Sequence, residues 1–173
     1  TVYIMFELLK GELSFYYPYL SILPVPNSIV LWTDNELDSL QDSNLIFRAK
    51  NQRVVLRNAY QKSIYTLQQR YPTVIDSRYT YQLFLFSWFN IQARAFGKRL
   101  EWTAMVPFAD CLNHSNIQTK YDYNLNQNNL FRLYSSGSNC YRKGDEVFNS
   151  YGRRPNDNLL LDYGFSILDN MWE

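Results

Sequence analysis

Two short segments hold residue types that can do chemistry, and both lie in the second half of the 173-residue sequence. The first is Val106-Pro107-Phe108-Ala109-Asp110-Cys111-Leu112-Asn113-His114-Ser115, an apolar stretch that runs into a polar Asn-His-Ser turn and contains the only histidine. The second is Lys143-Gly144-Asp145-Glu146-Val147-Phe148-Asn149-Ser150-Tyr151-Gly152. It continues through Asn156 and Leu159-Leu160-Leu161-Asp162-Tyr163-Gly164-Phe165, and reads as a tight turn, a strand and a short helix ending at Gly164. Taken singly, each has an ordinary structural reading. Asn113 and Ser115 suit a helix cap or an Asx-turn, with His114 a satisfied structural histidine. Tyr151 and Tyr163 suit the aromatic core of αβ packing.

Several other chemistries are poorly supported. No Gly-x-Gly or Gly-Lys-Ser/Thr loop exists to cradle a phosphate, and no Gly-x-Ser-x-Gly elbow exists to expose a nucleophile. One histidine and two separated cysteines, Cys111 and Cys140, do not make a structural zinc site. The two thiols are expected to be reduced. A formal net charge of +1 argues against nucleic-acid binding by phosphate neutralisation. No run approaches the roughly 18 apolar residues of a membrane span, and the start lacks a basic segment followed by an apolar one. The expectations are an intracellular protein, cytoplasmic or nuclear, and a monomer. The sequence opens without Met inside what reads as a helix, which predicts a fragment.

The elements that must position the two segments change character along the sequence. Residues 1–10 read as helix, and the aromatic Phe15-Tyr16-Tyr17-Pro18-Tyr19-Leu20 turns at Pro18. Thr33 and Glu36 form a capping box opening a helix from Asp34 to about Gln41. Leu45, Ile46, Val54, Val55, Ala59, Tyr60, Ile64 and Leu67 recur at helical spacing over 44–70, closed by Tyr71-Pro72. A further helix is predicted from Thr80 to Phe96, with Gly97 as its C-terminal cap. Beyond it, Thr103–Phe108, Leu130–Ser135 and Glu146–Asn149 are strand candidates between turns at Gly137 and Lys143-Gly144-Asp145. The Asn/Gln/Tyr-rich stretch 113–129 is predicted to be a long loop. Helices first and short strands second give an α+β class.

Together and in this order, the two segments resemble the SET-domain signature, in which Asn-His-Ser is followed some tens of residues later by Gly-Glu-Glu-(apolar)-x-x-Tyr-Gly. Asn156 to Phe165, Ser14-Phe15 to Leu23-Pro24 and Arg94-Ala95-Phe96 narrow the resemblance to the subgroup typified by the Rubisco large-subunit lysine methyltransferase. That subgroup's SET core is split by a helical insertion. The resemblance implies a SET-domain fold of short strands with a pseudoknot, a rare exception to unknotted connection. It implies the N-terminal part of the core at 1–33, the insertion at 34–98 and the C-terminal core with both motifs at 99–173. It also implies truncation at both ends, because the subgroup's Gly-x-Gly element and C-terminal helical domain fall outside residues 1–173.

The same resemblance implies S-adenosylmethionine as cofactor and methyl transfer to a lysine of a protein substrate. The alternatives are a histidine target, or an inactive SET module that binds protein. Tyr151 is expected to be catalytic, with Asn113, His114, Tyr151 and Phe165 at the cofactor. Arg94, Phe96, Asp110 and Tyr163 are expected around the substrate channel, and no metal is required. Methyl transfer from a sulfonium is an in-line displacement in which positioning supplies much of the rate. The attacking lysine must be neutral, although its amine ordinarily titrates near 10.4. An aromatic channel and the neighbouring sulfonium charge both lower that value.

Overall fold

The computed structural model describes residues 1–97, 102–124, 130–135 and 140–173, with Asn124 described by its backbone alone. The expected Gly137 turn lies outside them. They form two compact units, Thr1–Ala93 with Asp157–Ser166, and Arg94–Asn156 with Ile167–Glu173.

The first unit is helical. Helix α1 (Val2–Lys10) is followed by a short α2 (Tyr17–Leu20) with Pro18 in its first turn. Buried Glu7 accepts hydrogen bonds from Ser14 Oγ at 2.5 Å and Lys10 Nζ at 3.0 Å, which ties the intervening turn to α1. Helix α3 (Asp34–Asp38) opens on the expected capping box. Thr33 Oγ1 accepts from Glu36 N–H, while the Glu36 carboxylate accepts from Thr33 N–H. Helix α4 (Ser43–Arg70) starts where Asp42 accepts from Leu45 N–H and stops before Pro72.

One face of α4 buries Leu45, Ala49 and Leu56, and Tyr60, Ile64 and Leu67 pack against the same core. Val54 and Val55 belonged to the expected apolar set but are exposed, lying off the stripe that the 3.6-residue period carries through 45, 49 and 56. Arg53 fastens α4 to the preceding turn by donating to Val30 O at 2.7 Å, Asp34 Oδ1 at 2.6 Å and Trp32 O. Helix α5 (Tyr81–Arg94) begins with Thr80 Oγ1 accepting from Leu83 N–H. It contributes Phe84 and Phe89 to a core that also holds Met5, Ile29, Val30, Leu37, Ile75 and Tyr79.

Helix α6 (Asn156–Tyr163) sets Leu159 fully buried, with Leu160 and Leu161 against that core. Gly164 ends it at φ +80°, and a Cβ there would lie 2.1 Å from Asn27 O. Only glycine satisfies both the left-handed backbone and that approach. Ser28, itself buried, donates to Leu161 O at 2.7 Å, so the α6 end is held by the extended 27–28 segment. Arg48 of α4 donates to Asp157 and Asn158, each at 2.5 Å, and Gln92 of α5 donates to Asp162 at 2.8 Å.

The second unit contains an antiparallel pair, β1 (Thr119–Asn124) and β2 (Leu130–Ser135), with Thr119 opposite Ser135 and Asn124 opposite Leu130. Phe96 packs edge-on against Tyr121 and Phe131, each with ring centroids 5.0 Å apart. Its backbone pairs with Ala104 through two 2.8 Å hydrogen bonds. This corrects the expected helix end. Arg94 closes α5, and Phe96 has already entered the bridge, so Gly97 is no C-terminal cap.

The strand expectations divide. Leu130–Ser135 is a strand over the predicted residues, whereas among the described residues Thr103–Phe108 and Glu146–Asn149 each make a single bridge. The predicted loop at 113–129 contains β1. Among the described residues, no helix is long and apolar enough to cross a membrane.

Candidate active site

The two motif segments meet in the second unit through a parallel bridge between His114 and Asn149. Asn149 N–H donates to Asn113 O at 2.8 Å, and Ser115 N–H donates to Asn149 O at 3.0 Å. In a strand, successive peptide groups alternate in direction, so the peptide N–H and C=O of His114 face away from Asn149. Thr119, at the start of β1, locks the junction from a third direction. Its hydroxyl donates to Asn149 Oδ1 at 2.8 Å and accepts from Ser150 N–H at 3.0 Å.

That bridge places Tyr151 on His114. The two rings are stacked, 5.0 Å between centroids and 17° apart in plane. Tyr151 N–H donates to His114 Nδ1 at 3.1 Å, and the Tyr151 hydroxyl donates to Leu112 O at 2.8 Å. Asn149 O lies 3.4 Å from the same nitrogen. A peptide N–H can only donate, so the shorter Tyr151 contact is made with Nδ1 as acceptor, in the neutral ring whose proton is on Nε2. Burial holds the His114 pKa below its ordinary value of 6.5 and the Arg154 charge lowers it further, partly opposed by the Asn149 carbonyl. Gly152 then turns the backbone away at φ +101°.

Asn113 is exposed, and its amide nitrogen donates to Glu146 Oε1 at 2.6 Å. Asp145, beside it, accepts from Arg142 N–H at 2.7 Å and closes the turn on which the second motif opens. Arg94 donates through Nη1 to Asp110 O at 2.9 Å, and its guanidinium lies 3.5 Å from Asp110 Oδ1. The Asp110 side chain is fully buried and that of Arg94 largely so, which makes this an interior ion pair. Asp110 lies in a short helical turn, Ala109–Cys111, and at the preceding residue, Phe108, φ is +76° although the ring is exposed.

Of the eight residues singled out by sequence, Arg94, Phe96, Asp110, Asn113, His114 and Tyr151 fall in the second unit. Within it, Asn113, His114 and Tyr151 are drawn together, Arg94 pairs with Asp110, and Phe96 anchors the strand pair. Tyr163 and Phe165 fall in the first unit, their rings 6.1 Å apart at the end of α6. Sequence reasoning missed Thr119, Glu146 and Asn149. Glu146 and Asn149 lie inside the second motif, so only their partners were hidden, whereas nothing local marks Thr119.

No protein-family model matches the chain. The SET domain-containing protein 4 of Mus musculus is 32% identical over 176 residues, covering 92% of this chain and 39% of that protein. A ribosomal lysine N-methyltransferase of Schizosaccharomyces pombe is 26% identical over 179 residues, covering 99% and 31%. Two solved structures of the Rubisco large-subunit methyltransferase superpose on the chain. One, bound to S-adenosylmethionine, has a TM-score of 0.73 at 24% identity, covering 97% of this chain and 39% of that one. The other, its SET domain bound to methyllysine and S-adenosylhomocysteine, has a TM-score of 0.72 at 25% identity, covering 96% and 39%. The chain thus spans under two fifths of the length of these proteins. In sequence and in fold it is a SET-domain homologue of lysine methyltransferases, the Rubisco large-subunit enzyme among them.

Proposed function

We propose that the protein containing this chain transfers a methyl group from S-adenosylmethionine to a lysine side chain of a protein substrate. The observation that carries the proposal is the His114–Asn149 bridge, which sets Tyr151 against the Asn113-His114 pair across more than thirty intervening residues. The groups gathered there suit that cofactor. The exposed Asn113 amide suits an ammonium, and the peptide edge at residues 113–114 suits the donors and acceptors of a base. When bound, S-adenosylmethionine supplies an electrophilic methyl on a positively charged sulfur. Its relatives' names and bound molecules support lysine as the target and S-adenosylmethionine as the donor.

In this reading the residues hold and exclude. Asn113 and His114 bind the cofactor. Tyr151 stands at the reacting centre, its ring immobilised by His114 and its hydroxyl oriented by Leu112 O. Arg94 and Asp110 brace the approach as an interior pair, and Phe96 fixes the strands around it. For Phe165 a cofactor contact and for Tyr163 a channel position rest on the Asn156–Phe165 motif. A desolvated aromatic surround favours the neutral amine that a lysine nucleophile requires. The interval 34–98, which holds α3 to α5, is the helical insertion in this reading. The protein acts as a monomer on its protein substrate, without nucleic acid.

Tyr151→Phe tests the assignment in the full-length protein. Methyl transfer falls by about a hundredfold or more, the scale of losing one preorganised polar group at a reacting centre. The dissociation constant for S-adenosylmethionine, read by calorimetry, stays within about twofold. Unchanged turnover removes Tyr151 from the chemistry.

A further inference from the structure

Glu146 has no part in the roles assigned above, yet it makes the only side-chain hydrogen bond of Asn113 among the described residues. That bond runs from Asn113 Nδ2 to Glu146 Oε1 at 2.6 Å, short enough for a charge-assisted contact. An ionised carboxylate accepts and cannot donate. The Asn113 amide must therefore turn its NH₂ corner toward Glu146, and its Oδ1 corner faces the other way. Without such a partner the terminal torsion of asparagine is broad and two-fold, so both corners would sample the same place. The backbone needs no such help, because Asn113 O is already held by Asn149 N–H at 2.8 Å. Glu146 thus orients the Asn113 amide, whose side-chain torsions the backbone bridge leaves open.

The orientation matters for what can bind. An ammonium carries three donors and no acceptor, so it is attracted by an amide oxygen and repelled by an amide NH₂. The Glu146 carboxylate adds a negative charge behind the same amide. We propose that Glu146 is a positioning residue that presents the Asn113 amide oxygen to the ammonium of S-adenosylmethionine. The inference rests on the cofactor reading above and adds to it a residue that selects the amino-acid end of the ligand.

The test pairs two ligands that differ at that end. S-adenosylhomocysteine carries the ammonium beside a neutral thioether, whereas 5′-methylthioadenosine keeps the adenosine and a neutral thioether and lacks the amino-acid portion. The pair therefore does not also differ by a sulfonium charge. Both are titrated by calorimetry into full-length protein, wild type and Glu146→Ala. The variant is expected to bind S-adenosylhomocysteine about tenfold more weakly, the scale of one hydrogen bond to a charged group. Its affinity for 5′-methylthioadenosine is expected to stay within about twofold of wild type. Glu146→Gln, which keeps an acceptor but can flip, falls between. Equal weakening of both ligands reduces Glu146 to a structural residue, and unchanged binding of both removes it; either result overturns the proposal. Wild-type protein that binds neither ligand overturns the cofactor reading itself.

Discussion

Burial disfavours a charged His114 ring, only partly offset by the Asn149 carbonyl, and a proton on Nδ1 would also face the Tyr151 N–H that now donates to it at 3.1 Å. The native ring accordingly resists protonation below its ordinary 6.5. The unfolded chain takes up that proton near 6.5, and the native chain takes it up only at lower pH. The unfolded state thus binds more protons in the interval between the two values, so stability rises with pH there. His114 contributes fully above about 6.5, its contribution is lost as pH falls toward the folded value, and the dependence flattens below it. The 173-residue chain has one histidine, so one imidazole signal followed by NMR through a pH series reads the folded pKa directly. A midpoint at or above 6.5 contradicts the geometry. The residue scale was also where the sequence was most legible. Asn113, His114 and Tyr151 are identifiable by type and order, while Glu146 and Asn149 declare their roles only once the bridge has formed.

At the scale of elements, the end of α6 tests how tightly the first unit specifies a motif helix. Gly164→Ala forces an L residue to φ +80° and drives its Cβ to 2.1 Å from Asn27 O. The left-handed backbone alone costs about 1–2 kcal/mol, and displacing the 27–28 segment brings the loss to about 3 kcal/mol or more. Gly152→Ala, at φ +101° with open space around the new Cβ, costs only the backbone strain. Urea midpoints of the two variants separate these cases, and equal losses would show that the Asn27 approach is not rigid. The sequence foresaw this helix, its glycine and the α3 capping box, because caps and breakers act within a few residues of themselves.

Strands were less legible for a physical reason. A strand is defined by its partner, and among the described residues the apolar run Thr103–Phe108 finds a single bridge, at Ala104. Conversely, β1 was hidden in a polar stretch. Its signal was the alternation of Tyr121 and Tyr123 with Lys120 and Asp122. The tyrosines meet Phe96, Phe131 and Trp102. The α4 pattern was read too broadly for a related reason, since apolar type alone did not separate exposed Val54 and Val55 from the buried stripe.

Across the whole molecule, burial is unevenly shared. Fourteen of the fifteen buried hydrophobic residues among those described belong to the first unit, and Phe96 alone to the second. The second unit, which holds the paired motifs, relies instead on polar junctions. Thr119 and Asn149 clasp the bridge, while Asn170 donates to Arg154 O at 2.9 Å and Asn156 exchanges two hydrogen bonds with Ile167. Hydrogen bonds with little apolar cover open locally at low free-energy cost. A ligand that binds only the closed form stabilises it by mass action, roughly 2.7 kcal/mol at a hundred times its dissociation constant. Hydrogen exchange of the full-length protein with saturating S-adenosylmethionine should therefore show its largest gain in protection at 112–119 and 145–152. Helices α4 and α5, already covered by their own core, should change little. A gain spread evenly over both units, or centred on α4, would mean that the motif junction is not where the cofactor binds.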